Sequence, residues 1–159
     1  MSTGRMTYLS LENSSYILDT NFDTNTRFLD LIEGQRENTY LLFPHRNAVE
    51  ASKTMGATDT PIQVILIDAT WNAAGAIFNN SLLLKSLNKI KFSSPPKSQF
   101  KIRTQPANHF VSTIEASDYL LRKLGEDTNG LLNPFHYMVD RQIEHQISNN
   151  PSHYRKWEH

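Results

Sequence analysis

An α/β fold with a mainly parallel sheet flanked by helices, in a single domain, is what this 159-residue sequence predicts. Two runs of strand-forming residues, Thr39-Tyr40-Leu41-Leu42-Phe43 and Ile62-Gln63-Val64-Ile65-Leu66-Ile67, read as buried strands. Apolar residues at helical spacing lie between and after them, and buried strands alternating with helices favour parallel pairing. No internal repeat, low-complexity tract or linker divides the chain, and its length suits one core without metals or disulfides.

Residues 1 to about 36 are polar, with weak periodicity. The first strand ends at Pro44, and Asn47 to Met55 reads as a short helix with Ala48, Ala51 and Met55 on one face and Gly56 at its end. Pro61 opens the second strand. Ala73, Ala74, Ile77 and Phe78 predict a helix, followed by Leu82-Leu83-Leu84 and Leu87. Ile90 and Phe92 alternate with lysines, which predicts a strand with one wet face. Ser93-Ser94-Pro95-Pro96 breaks the pattern as a loop. Ser112-Thr113-Ile114-Glu115 has the form of a capping box, because Ser112 can accept from the Glu115 amide while the carboxylate reaches back. The helix it starts continues through Leu120 and Leu124 to Gly125, a suitable terminator. A last helix begins near Asn133-Pro134, where proline suits the first turn, and carries the stripe Phe135, Met138, Val139, Ile143 and Ile147. From Asn149 the tail is polar.

Composition removes several functions. Without cysteine there is no disulfide framework, thiolate zinc site or cysteine nucleophile. No segment approaches the roughly 20 apolar residues that span a bilayer, and the first residues lack a signal-peptide core. A cytoplasmic protein with no membrane partner is the expectation. Net charge is zero, with 16 basic and 16 acidic residues. Yet no acid lies between Ala69 and Ile114, where Lys85, Lys89, Lys91, Lys97, Lys101 and Arg103 gather. That segment is either a phosphate-facing surface, with Lys89, Lys97 and Lys101 as its RNA contacts, or a solvated lysine face.

The glycine spacing excludes the dinucleotide fingerprint and the phosphate-binding loop, and no two histidines stand at i, i+4. No metal site is expected. Asp19, Asn21, Asp23, Asn25 and Asp30 imitate calcium-loop spacing, but Thr24 replaces the required glycine and Asp30 is too short for the bidentate position. Asx turns explain this segment better. The informative cluster is Asp68-Ala69-Thr70-Trp71, which sets a carboxylate, a hydroxyl and an indole at the end of an apolar strand, where α/β proteins bind ligands. Taken singly, Trp71 reads as core, Arg103 as a loop arginine and Glu115 as a capping residue.

Taken in order, these residues resemble the DTW-domain family, named for its Asp-Thr-Trp signature. Asp68-Ala69-Thr70-Trp71 with Ala73-Ala74, Arg103-x-Gln105-Pro106 and Ser112-Thr113-Ile114-Glu115-Ala116 follow the family's order and approximate spacing. Leu41-Leu42-Phe43-Pro44, Asn25-Thr26-x-x-Leu29 and Gln142 resemble further landmarks, so the similarity covers about residues 21 to 147. It implies a tRNA-uridine aminocarboxypropyltransferase of SPOUT-like fold with a C-terminal knot. In such an enzyme S-adenosyl-L-methionine donates its 3-amino-3-carboxypropyl arm to uridine N3 of tRNA. The implied division is a polar segment over 1–20, a catalytic domain over 21–148 and a polar tail over 149–159.

Laid on the residues, the resemblance implies Asp68 as general base or nucleotide-orienting carboxylate. Thr70 then serves as a substrate or turn hydroxyl, and Trp71 as a stacking platform. Arg103, Gln105, Pro106, Ser112, Thr113 and Glu115 are implied to hold the donor. The chain departs from the family in lacking its cysteine-rich start, in having no His-Pro-x-Glu before Asn25, and in carrying Thr104 where lysine is usual. Two other functions remain in view: donor chemistry on another RNA or a small molecule, and a catalytically silent RNA-binding protein of the same fold.

Overall fold

Each strand-forming run pairs with another in the same direction, giving a four-stranded, wholly parallel sheet. In the computed structural model, which describes residues 2–56, 60–101 and 110–149, β1 (Thr39–Leu42) lies between β3 (Gln63–Ile65) and β4 (Asn88–Lys91). β2 (Val49–Glu50) pairs beyond β4. Tyr40 is level with both Val64 and Asn88, and Leu42 with Ile90.

Strand alternation sends side chains to two faces, and helices cover both. Leu41, Ile65 and Ile67 join Phe28, Ile32, Phe78 and Leu84 from α2 (Thr26–Ile32), α4 (Trp71–Asn80) and α5 (Leu82–Ser86). Tyr40, Leu42, Val64 and Ile90 point the other way, against Leu120 and Leu124 of α6 (Thr113–Leu124) and Met55 of α3 (Lys53–Gly56). Leu41 and Ile90 have no exposed surface. A third apolar cluster joins Met6 of α1 (Thr3–Ser10), Ile114 of α6, and Phe135 and Val139 of α7 (Asn133–Asn149). Among the described residues no helix is long and apolar enough to cross a membrane.

Three local expectations change. The helix expected over Asn47 to Met55 is instead β2 followed by α3. Val49 and Glu50 align with Ile90 and Lys91, and the Ala51 amide extends the ladder to the Lys91 carbonyl at 3.0 Å. The apolar run from Ile62 to Ile67 holds only a three-residue strand, and as an edge strand it is half-buried. The lysine face of β4 is not wet at Lys89. Its ammonium donates to the Lys85 and Leu87 carbonyls at 2.6 and 2.7 Å and lies over the Phe78 ring. Burial lowers its pKa.

The Asx reading of the early acidic segment holds. Asp19 accepts from the Thr20 and Asn21 amides and from the Asn25 side chain, and Asn25 in turn caps α2 by accepting from the Phe28 amide. Asp23 reaches across the chain to the start of α5. It accepts from the Ser81 hydroxyl and from the Leu82 and Leu83 amides at 2.8 and 3.2 Å.

The Ser81 hydroxyl foremost, with those amides and the nearby Lys85, holds the Asp23 carboxyl below its usual range despite some desolvation. Its contribution to stability is therefore fully present above the ordinary carboxylate range and is lost as pH falls through the folded-state value. Asp23→Ala should cost about 1–2 kcal/mol at neutral pH. In thermal melts the gap between wild type and Asp23→Ala should be widest near neutrality and narrow as pH falls below the ordinary carboxylate range.

Candidate active site

β3 delivers Asp68 to the carboxyl end of the sheet, just before α4. The Ala69 amide turns back to the Ile67 carbonyl at 3.2 Å, leaving the Asp68 side chain exposed. Thr70 is the N-cap of α4, its hydroxyl accepting from the Ala73 amide at 3.4 Å. Trp71 opens that helix with 42% of its surface exposed, its ring 4.5 Å from that of Phe110. Thr70 therefore shapes the turn, while Asp68 and Trp71 are presented outward.

Opposite them stands the N-terminus of α6. The capping box forms as the sequence predicts. Glu115 is only 5% exposed, and its carboxylate accepts from the Ser112 amide and hydroxyl at 2.8 and 2.6 Å. It also accepts from the Gln99 amide at 2.6 Å and from the Ser98 hydroxyl. Both oxygens are thus committed within the protein, and Glu115 pins the 98–100 loop to α6. Thr113, the next residue, donates its hydroxyl to Asp68 Oδ1 at 2.6 Å.

Between these elements lies a cavity of about 600 Å³. It opens at the carboxyl ends of three strands, as ligand crevices in parallel α/β sheets do. Phe43 and Pro44 follow β1, Asp68 and Ala69 follow β3, and Lys91 and Phe92 end β4. Trp71, Phe110, Phe100, Ser112 and Thr113 close it, and Ser2 and Thr3 reach it from the N-terminus. An apolar enclosure of this size with a few convergent polar groups is suited to a small organic ligand.

Asp68, Trp71, Ser112 and Thr113 are thus brought to one cavity wall. Lys97 and Lys101 are exposed outside the lining, and Lys89 is turned to backbone carbonyls. Arg103, Gln105 and Pro106 lie outside the described residues. Sequence reasoning missed Lys91, which shares the lysine face of β4 but stands at its cavity end. It also missed Ser2, Thr3 and Gly4. A β-carbon added to Gly4 would lie 2.4 Å from the Asp68 carboxyl carbon. Only glycine lets α1 approach the carboxylate so closely.

The donor implied by the sequence can be tested against this cavity. The volume suffices for a nucleoside with an amino-acid arm, the Trp71–Phe110 wall offers aromatic faces, and Lys91 and Asp68 supply opposite charges. The residues present fit it.

The DTW domain model matches residues 1–143. A Drosophila melanogaster protein named tRNA-uridine aminocarboxypropyltransferase 2 is 34% identical over 116 residues, covering 68% of this chain and 46% of its own. Proteins of the same name from Macaca fascicularis and Mus musculus are 28% and 29% identical, covering 70% and 67% of this chain and 39% and 37% of theirs. The chain thus spans less than half the length of these relatives. No solved structure shows significant similarity.

Proposed function

The chain belongs to the DTW domain family, and from that premise we propose that it transfers the 3-amino-3-carboxypropyl group of S-adenosyl-L-methionine to uridine N3 in tRNA. The observation that carries this reading is the exposed Asp68 carboxylate beside Trp71, on the wall of a cavity at the carboxyl end of a parallel sheet. The relatives' names supply the reaction.

When bound, the donor supplies an electrophilic methylene carbon on a sulfonium that departs as methylthioadenosine. The enzyme's task is then alignment and removal of one proton. Uridine N3 forms its bond to that carbon as the carbon–sulfur bond breaks, and the N3 proton passes to Asp68. Oδ1 accepts one bond from Thr113, and the lone pairs left on the carboxylate are what receive it. Trp71 and Phe110 hold the adenine ring. Lys91 faces the donor's carboxylate, with Arg103 proposed as its partner there, and Gln105 and Pro106 are further proposed donor-binding residues. Ser112 reaches the lining with its hydroxyl committed to Glu115, and Glu115 acts indirectly by fixing Ser112 and the 98–100 loop. Lys97 and Lys101 are the proposed RNA contacts, and Lys89 adds charge to that side without a free ammonium.

The proposal extends to architecture. Residues 21–148 carry the proposed catalytic and donor-binding residues and 149–159 are the proposed tail, while α1 in the 1–20 segment adds Ser2 and Thr3 to the cavity lining. The fold is proposed to be SPOUT-like with a C-terminal knot around the donor; the wholly parallel sheet supports its α/β class.

Two experiments follow. Trp71→Ala should weaken S-adenosylmethionine binding in calorimetry by about 1–3 kcal/mol, the worth of one stacked ring, with little change in melting temperature because the indole is exposed. Mass spectrometry of tRNA nucleosides from cells with and without the protein tests the acceptor. Aminocarboxypropyl-uridine should vanish on deletion, and an unchanged nucleoside profile without a redundant enzyme would remove tRNA as the substrate.

A further inference from the structure

The carboxylate at the centre of the site is held from outside its own motif. Asp68 Oδ1 accepts from the Thr113 hydroxyl at 2.6 Å across 45 positions of sequence. Thr113 is itself fixed. Its amide donates to the Thr3 hydroxyl at 3.3 Å, and its carbonyl accepts from the Ser117 hydroxyl at 2.8 Å. Branching at Cβ restricts the rotation of its side chain further. On the far side of the carboxylate, α1 presses close at Gly4, where a β-carbon would fall 2.4 Å from Oδ2. The carboxylate is clamped between a threonine hydroxyl and a bare stretch of helix backbone.

This clamp has a spatial consequence. Asp68 and Thr113 line not only the cavity already described but also a second one, of about 700 Å³, which follows β3 and the N-terminal segment around Tyr8 and Tyr16. The carboxylate therefore stands on a wall shared by the two cavities.

We infer that Thr113 is a positioning residue that holds the Asp68 carboxylate in the rotamer needed at the Trp71 cavity, rather than a group that binds the donor. The inference rests on the reading of Asp68 as proton acceptor. Valine has the shape of threonine without the hydroxyl, so Thr113→Val removes the tether while keeping the helix backbone. Serine restores the hydroxyl without the methyl group.

The test compares wild type, Thr113→Val and Thr113→Ser as full chains. Turnover is followed as methylthioadenosine release from S-adenosylmethionine and tRNA, donor affinity by calorimetry, and the carboxylate by crystal structures of wild type and Thr113→Val. Turnover in Thr113→Val should fall on the order of 100-fold, the cost of misplacing a reacting group by about 1 Å. Donor Kd and KM should stay within about twofold, and Thr113→Ser should recover most of the rate. In the crystal the Asp68 carboxylate of Thr113→Val should leave its wild-type rotamer. Loss of donor affinity in Thr113→Val with unchanged turnover would overturn the inference, as would full turnover or an unmoved carboxylate. A wild type that binds donor yet releases no methylthioadenosine overturns the proposed reaction instead, and the rotamer comparison still judges the positioning role.

Discussion

Asp68→Asn lowers the rate of aminocarboxypropyl transfer by about 10²- to 10⁴-fold, the range ascribed to a positioned general base. The substitution is nearly isosteric. The asparagine oxygen can still accept from Thr113, so the tether at 2.6 Å survives. What changes is the other terminal atom, which becomes an amide donor facing the uridine N3–H and can no longer take its proton. Donor affinity stays close to wild type, because Trp71, Phe110 and Lys91 remain in place. The melting temperature also moves little, since the residue is exposed and its hydrogen bond with Thr113 is kept. Single-turnover rates with donor and tRNA, read beside calorimetry, provide the check. A variant within threefold of wild type would remove Asp68 from the proton transfer.

Glu115→Ala produces the largest loss of stability, about 3–5 kcal/mol. The carboxylate gathers the Ser112 amide, the Ser112 hydroxyl, the Gln99 amide and the Ser98 hydroxyl. Ser112 is 2% exposed, so water cannot readily replace the lost acceptor. Each buried donor left unpaired costs about 1–3 kcal/mol, and several are orphaned together. For a chain of this size the melting temperature should drop by roughly 10 °C. Glu115→Gln should lose less, because one amide oxygen can still accept from Ser112 while its NH₂ opposes the remaining donors. The loss also reaches the cavity, whose Phe100 wall follows the Ser98-Gln99 anchor and packs edge-on against Phe135. Thermal melts of both variants decide it, and an alanine variant melting within 2 °C of wild type would contradict this account of Glu115.

These two residues also mark what a sequence can and cannot disclose. The Ser112–Glu115 box is a local device, with donors and acceptor three residues apart, so spacing alone reveals it. The same holds for Gly125, which ends α6 in the left-handed conformation at φ 95°. The parallel sheet was legible because β1 and β3 lie in apolar runs, β4 shows Ile90 alternating with lysines, and helical spacing separates them. β2 was not, because two residues form a strand only by pairing with Ile90 and Lys91. Helix α1 was hidden because its buried positions are Thr3, Gly4 and Met6, and a single large apolar side chain makes no stripe.

In the site, Asp68 and Trp71 stood out locally, whereas the Asp68–Thr113 bond joins positions 45 apart and no periodicity encodes it. Chain order alone hinted at their meeting. Lys89 and Lys91 share one face of a strand and look equivalent in sequence. Only the fold shows that one lies over Phe78 and the other reaches the cavity.

The most direct measurement of the central claim is product analysis after incubating purified protein with S-adenosylmethionine and tRNA lacking the modification. The account predicts methylthioadenosine, formed in equal amount with aminocarboxypropyl-uridine and abolished in Asp68→Asn. Release of S-adenosylhomocysteine with a methylated nucleoside, or an Asp68→Asn variant that forms methylthioadenosine at the wild-type rate, would contradict it.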